Sequence, residues 1–177
     1  GFPFGYYFYT ASTVGKELYI SNIPFMDSLS FTFLLYASYC LALFFTLPYQ
    51  SFPSSQDRHL VLQNLVSWPV IGLTCLFFMF IDIVIDPVAL QGGRWFLGKI
   101  YGYQDPGVYF GVPLANFIGW FIVGLIAMIG YRVVDQRKGV LPDLPSSIPV
   151  RVVLVGCGLY YMVLFFNLFV TFWIGEA

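Results

Sequence analysis

The stretch LQNLVSWPVIGLTCLFFMFIDIVIDP, residues 62–87, decides the fold of this chain. Most of its side chains are apolar, and it is longer than the roughly 20 residues that a helix needs to cross a lipid bilayer. Three further windows meet the same criterion, so we predict four membrane-spanning helices, over residues 29–47, 62–85, 114–131 and 152–174. Prolines 48, 87 and 113 are expected to lie at helix ends, because proline lacks the N–H that a helix interior uses.

The composition of the whole chain agrees with a membrane protein. Of its 177 residues, 59% are hydrophobic, 21% are aromatic and only 10% are charged, which leaves too little polar surface to cover a water-soluble domain. The net charge of −1 gives no support for a nucleic-acid partner. We therefore predict an all-α fold: a polytopic membrane helical bundle with aromatic interfacial or re-entrant segments, forming a single transmembrane domain in the lipid bilayer over residues 1–177.

The basic residues indicate an orientation. Successive loops of a helical membrane protein lie on opposite sides of the membrane, and this divides the basic residues into two groups. The larger group is expected at the cytoplasmic face. The larger group contains Arg58, Arg132, Arg137, Lys138 and Arg151, and the smaller contains Lys16, Arg94 and Lys99. This places the N-terminal segment, the loop over residues 86–113 and the C-terminus on the far side of the membrane.

Two aromatic stretches are neither spans nor ordinary polar loops. They read GFPFGYYFY over residues 1–9 and RWFLGKIYGYQDPGVYFGVP over residues 94–113. Tyr and Trp favour the headgroup level, so one interpretation is an interfacial aromatic belt. The four-helix topology places both stretches at the same membrane face, which makes a shared aromatic-lined vestibule for a ligand the other interpretation.

The strongest candidates for chemistry are Asp82 and Asp86 in FIDIVIDP. Residues four apart share one face of a helix, and carboxyl groups inside a membrane usually face protein and serve a function. A structural ion pair with Arg94 or Lys99 is the alternative, and Asp86 could instead lie among the lipid headgroups. Asn116, at the start of the third helix, is predicted at the same depth, where its amide could hold a carboxylate or a water.

Other site types lack parts in this sequence. His59 is the only histidine, and the three cysteines lie in apolar runs where they act as small buried hydrophobes, so we predict no metal site and no disulfide. An Asp-x-x-x-Asp pair can bind magnesium and a diphosphate, but the remaining candidates, Asp135 and Asp143, are predicted at the opposite membrane face.

With these residues identified, four segments in order give the chain a family resemblance. They are GFPFGYYFYT from Gly1, DIVIDP from Asp82, GRWFLGKIYGY from Gly93 and VYFGVPLANFIGW from Val108. Together they resemble the membrane carotenoid biosynthesis family that contains the carotenoid end-group hydratases of bacteria and haloarchaea. Two features depart from the pattern: family members carry a further helix upstream, so an additional N-terminal part is expected, and Tyr6 stands where the family often has a basic residue.

The resemblance implies hydration of the terminal double bond of an acyclic carotenoid end group to a tertiary alcohol, with no cofactor required, in a bacterial inner membrane. Burial keeps a carboxylic acid protonated, and Asp82 is the candidate acid. Asp86 would position the attacking water and Asn116 would orient either carboxyl group. The candidate substrate-binding residues, most of them rings that could stabilise a carbocation, are Trp95, Tyr109, Phe110, Trp120 and Tyr6.

A second function fits the same resemblance. The chain could be a non-catalytic subunit that binds a carotenoid or another pigment within a larger photosynthetic pigment–protein complex, beside other membrane subunits. The expected but missing N-terminal part and Tyr6 favour this alternative. Turnover by isolated membranes would separate the two interpretations.

Overall fold

The computed structural model describes residues 7–10, 18–20, 23–46, 65–95, 98–138 and 150–175. Four long helices dominate these ranges, and each contains a stretch long and apolar enough to cross a membrane. They are α1 (Phe25–Thr46), α2 (Trp68–Ala89), α3 (Leu114–Lys138) and α4 (Val150–Ile174). The predicted polytopic membrane helical bundle is confirmed.

The bounds of α2 differ from the predicted span at both ends. The helix begins at Trp68 and not at residue 62, because Pro69 lies in its first turn, where the fixed φ of proline suits a helix start. At the other end α2 continues through Pro87 to Ala89, so the prediction that Pro87 ends the helix was wrong. Proline lacks one N–H, so α2 loses only the bond to the carbonyl of Ile83 and continues for two further residues. Pro113 does precede α3 directly, as expected.

The helix α2 lies at the centre of the bundle. It packs against α1, α3 and α4, and α1 packs in addition against α4. The largest group of buried side chains lies where these helices meet, and it includes Leu41, Phe78, Ile81, Val153 and Tyr160. The face of α2 that meets these helices is therefore surrounded by protein, whereas the outward faces of α3 and α4 carry exposed apolar side chains suited to lipid contact.

Within the described part of the chain, four short strands lie outside the helices: β1 (Tyr7–Tyr9), β2 (Tyr19–Ile20), β3 (Ile23–Pro24) and β4 (Tyr101–Tyr103). Strands β2 and β3 pair just before α1 begins. Strand β1 pairs antiparallel with β4, so that Tyr9 stands opposite Tyr101. The two aromatic stretches of the sequence therefore meet, at the end of the bundle where α2 ends and α1 and α3 begin.

A tight loop connects β4 to α3. The amide of Gly107 donates to the carbonyl of Gly111 (2.9 Å) and that of Val112 to the carbonyl of Tyr109 (2.8 Å). Phe110 has a φ of 49°, in the left-handed region that a residue with a Cβ rarely adopts. A Cβ on Gly107 would overlap the backbone of Val112 and Pro113, so the loop depends on a glycine at this position.

Candidate active site

The candidate site is built around two aspartates in the last turns of α2. Asp82 and Asp86 lie one turn apart on the same face, and their side chains are 0% and 3% exposed. Asn116, in the first turn of α3, donates from Nδ2 to Oδ2 of Asp82 (2.8 Å) and to Oδ2 of Asp86 (2.7 Å). The three candidate catalytic residues are therefore one hydrogen-bonded group, as their predicted depth in the membrane indicated.

Two tyrosines of β4 complete the surroundings of Asp86. The hydroxyl of Tyr101 donates to Oδ1 of Asp86, and the hydroxyl of Tyr103 donates to Oδ2 (2.8 Å). Alternate residues of a strand point to the same face, so the YGY sequence directs both hydroxyls toward α2. Burial, together with the neighbouring Asp86, raises the pKa of the Tyr101 phenol well above its usual range, which keeps this hydroxyl protonated and able to donate.

A third carboxyl group lies at the edge of the site. Asp27 is in the first turn of α1, and the hydroxyl of Tyr9 in β1 donates to its Oδ2 (2.7 Å). The charge of Asp27 acts on both Asp82 and Asp86. The β1–β4 pair therefore contacts acidic groups on two different helices through three tyrosine hydroxyls, and it covers this end of the bundle.

Three aromatic rings lie one helical turn deeper than the polar groups. Phe31 follows Asp27 by four residues on α1, Phe78 precedes Asp82 by four on α2, and Trp120 follows Asn116 by four on α3. Phe31 stacks on Trp120 with ring centroids 4.4 Å apart, and the Phe78 ring lies 4.7 Å from Trp120. We call these three rings the aromatic layer, and it separates the carboxyl groups from the apolar centre of the bundle.

Asp82 accepts fewer hydrogen bonds than Asp86. Its Oδ1 is buried and has no hydrogen-bond partner among the described residues. The described partners of the two carboxyl groups are Asn116, Tyr101 and Tyr103, and the alternative of an ion pair with Arg94 or Lys99 gains no support. Within the described ranges, no three His, Cys, Asp or Glu side chains form a group that could hold a metal ion.

The remaining predicted substrate-binding residues lie in different places. Trp120 belongs to the aromatic layer directly below the aspartates. Trp95 is buried beside Val88 and Ile100, in a cluster that also includes Tyr101. Tyr109 forms ring contacts with Phe110 and Phe117, and the Phe110 side chain is exposed. The described contacts of Tyr109 and Phe110 thus do not join them to the aspartates, and Tyr6 lies outside the described residues.

Sequence reasoning missed four members of this site: Tyr9, Asp27, Tyr101 and Tyr103. The expected meeting of the two aromatic stretches was a correct signal for the tyrosines, but it did not say which rings would face α2. Their alternate spacing in YGY was the available clue. Asp27 gave a weaker signal, because an acidic residue in the first turn of a helix is common for electrostatic reasons alone.

The fold and the site together define a polytopic membrane protein with a buried pair of carboxyl groups at one end of its bundle. The chain belongs to the carotenoid biosynthesis protein family, whose sequence model matches residues 1–176. The resemblance seen in the four sequence segments is thereby confirmed.

One relative is a bisanhydrobacterioruberin hydratase from Haloarcula japonica, which is 33% identical to this chain over 101 residues. That match covers 54% of this chain and 30% of the relative, so the chain spans under a third of the relative's length. No solved structure matches the chain.

Proposed function

We propose that this protein hydrates the terminal double bond of an acyclic carotenoid end group and produces a tertiary alcohol. The observation that carries the proposal is the buried pair of Asp82 and Asp86, held by Asn116 directly above the aromatic layer. Membership of the carotenoid biosynthesis family and the likeness to a carotenoid hydratase support the same class of reaction. A carotenoid also suits a bundle whose surfaces are apolar.

In the first step Asp82 acts as the acid. Its fully buried carboxyl group has one oxygen with no donor among the described residues, so this oxygen can carry the proton. The π electrons of the alkene take that proton at the less substituted carbon and form the new C–H bond. The products of the step are a tertiary carbocation and the Asp82 carboxylate.

The aromatic layer is placed to stabilise that carbocation. A cation is attracted to the face of an aromatic ring by up to about 2 kcal/mol where water is excluded. Trp120 and its neighbours lie one turn below the carboxyl groups, so an end group that reaches Asp82 also approaches these rings. The carotenoid polyene would extend from there along apolar helix surface.

In the second step a water molecule attacks the carbocation. A lone pair of the water oxygen forms the C–O bond, and Asp86 accepts the proton that the water loses. Asp82 has then lost one proton and Asp86 has gained one, so the number of protons held by the pair is unchanged. Return of the proton from Asp86 to Asp82 resets the site, and the net reaction is the addition of one water.

Expression of the chain in cells that accumulate lycopene and related acyclic carotenoids tests the proposal. Extracts are analysed by liquid chromatography and mass spectrometry for products that have gained one water. We expect this product with the wild-type protein and its loss with Asp82→Asn. Asp105→Asn is the matched control, because Asp105 is an exposed aspartate of the loop before α3, and this variant should retain activity.

Membrane fractions are probed for the protein in every case. Activity retained by Asp82→Asn would show that Asp82 is not the acid. If intact, membrane-inserted wild-type protein gave no hydrated carotenoid, the proposed reaction would be wrong, and the pigment-binding subunit would become the better interpretation.

A further inference from the structure

The hydrogen bonds to the two central aspartates are distributed unequally. Asp86 accepts bonds from Tyr101, Tyr103 and Asn116, so both of its oxygens have donors. Asp82 accepts one bond, from Asn116, and its Oδ1 has no donor within the described part of the chain. Donated hydrogen bonds stabilise the charged form of a carboxyl group, and Asp86 therefore has the surroundings of a carboxylate.

The pair cannot hold two negative charges without a large electrostatic cost. Both Oδ2 atoms lie within hydrogen-bonding distance of the same Asn116 nitrogen, so the carboxyl groups are direct neighbours in a buried setting. Like charges at such a distance repel strongly where water is excluded, and the charge of Asp27 adds to the repulsion. The hydrogen-bond donors that the structure gives to the two aspartates are Asn116, Tyr101 and Tyr103, and all three are neutral. One shared proton is the expected state.

We propose that Tyr101 and Tyr103 are positioning residues that keep Asp86 ionised and thereby place the single proton of the pair on Asp82. The catalytic role in this inference rests on the proposed function. The position of the proton does not, because it is a property of the protein without substrate. A proton on Oδ1 of Asp82 is the one that the first step of hydration consumes. The two tyrosines would thus assign different roles to two otherwise equivalent carboxyl groups.

The energies of these contacts support the assignment. A hydrogen bond to a charged group contributes roughly twice as much as a bond between neutral groups. Two phenol donors therefore favour charge on Asp86 over charge on Asp82 by a large factor. The raised pKa of Tyr101 means that its own proton stays in place, so it acts as a donor and does not exchange roles with the acid.

Infrared spectroscopy of the purified protein locates the proton, because a protonated carboxyl group has a carbonyl band that the ionised group lacks. We expect the band in the wild-type protein and in Asp86→Asn, and its loss in Asp82→Asn, where only the tyrosine-bonded Asp86 remains. Adding Tyr101→Phe and Tyr103→Phe to Asp82→Asn should restore the band, since Asp86 then loses two of its three donors.

Tyr160→Phe in the Asp82→Asn background is the matched control. Tyr160 is also a buried tyrosine, but its hydroxyl donates to the carbonyl of Phe77 (2.9 Å), so its removal should restore no band. A band that persists in Asp82→Asn, or that fails to return in the triple variant, would overturn the proposal. If the triple variant is not recovered from membranes, two double variants replace it: Asp82→Asn with Tyr101→Phe and Asp82→Asn with Tyr103→Phe. We expect the band to return in at least one of them, and its absence in both would overturn the proposal.

The catalytic consequence is measured separately. If the chain hydrates carotenoids, Tyr101→Phe with Tyr103→Phe should lower kcat by about 10- to 100-fold and change KM little, because the acid is misplaced while substrate contacts remain. An unchanged kcat would contradict the positioning role. The infrared result needs no turnover, so failure of this proposal and failure of the proposed function are distinguishable.

Discussion

The side-chain amide of Asn116 uses both of its hydrogens within the site. One bonds Asp82 and the other bonds Asp86, so the first turn of α3 is joined to two successive turns of α2. An amide is neutral, so it can donate hydrogen bonds to a carboxylic acid and to a carboxylate at the same time. This makes Asn116 important for stability as well as for the orientation of the two acids.

We expect Asn116→Ala to lower the free energy of unfolding by about 2 kcal/mol, because two buried carboxyl groups lose a donor. Unfolding in detergent with increasing denaturant gives this value. Asn167→Ala is the control: Asn167 is also buried in the bundle, but its Nδ2 donates to Val163 of its own helix (2.9 Å), and its loss should cost about 1 kcal/mol or less. An equal loss of unfolding free energy in the two variants would show that the bonds from Asn116 to the two aspartates contribute no more to stability than a bond within one helix.

The grouping of Asp82, Asp86 and Asn116 could be predicted because helix periodicity and membrane depth fix it. The tyrosine partners could not, because they depend on the register in which β1 and β4 pair. A shift of one residue would turn Tyr101 and Tyr103 away from α2. Short strands leave too little hydrophobic pattern in a sequence to define such a register.

At the scale of elements, α1 and α4 approach each other closely at Gly156. A Cβ at this glycine would overlap the side chain of Cys40 on α1. Small residues at helix contacts are a usual means of close packing in membranes, where apolar burial alone does not hold helices together. Gly158, two residues further along α4, has nothing within 4 Å of its would-be Cβ and belongs to another face.

Gly156→Ala is therefore expected to separate α1 from α4 and to lower the free energy of unfolding by about 1 to 3 kcal/mol, the usual cost of overpacking. Gly158→Ala adds the same methyl group to the same helix without a clash and should be neutral or slightly stabilising. The comparison uses the same detergent unfolding measurement. A similar stability for both variants would mean that α1 moves to accommodate the methyl group.

Four spans were predictable because uninterrupted apolar length is a strong signal in a membrane protein. The ends of α2 were not, because proline acts differently by position: Pro69 favours the first turn and Pro87 is tolerated in the last. The sequence also could not predict which helices pack against each other. Nothing in the apolar pattern distinguishes the surface of α4 that meets α1 from the surface that meets lipid.

On the scale of the whole molecule, the two ends of the bundle carry side chains of opposite charge. One end carries Asp27, Asp82 and Asp86 beneath the tyrosines of β1 and β4. At the other end Arg132 donates from Nη1 to the carbonyl of Val66 (2.6 Å) and lies over the Trp68 ring, 5.0 Å from its centroid. Arginine and tryptophan in contact are typical of a membrane interface, and from the positive-inside rule we expect the arginine end to face the cytoplasm.

Labelling of single added cysteines tests this orientation. We expect a membrane-impermeant maleimide to label Asp105→Cys in intact spheroplasts, because Asp105 is exposed at the acidic end. Ser146→Cys, between α3 and α4 in the sequence, should be labelled only after the membrane is opened. The wild-type protein is the control, since its Cys40, Cys75 and Cys157 are buried. The reverse pattern would place the aspartates at the cytoplasmic face, and the water for the proposed hydration would then come from the cytoplasm.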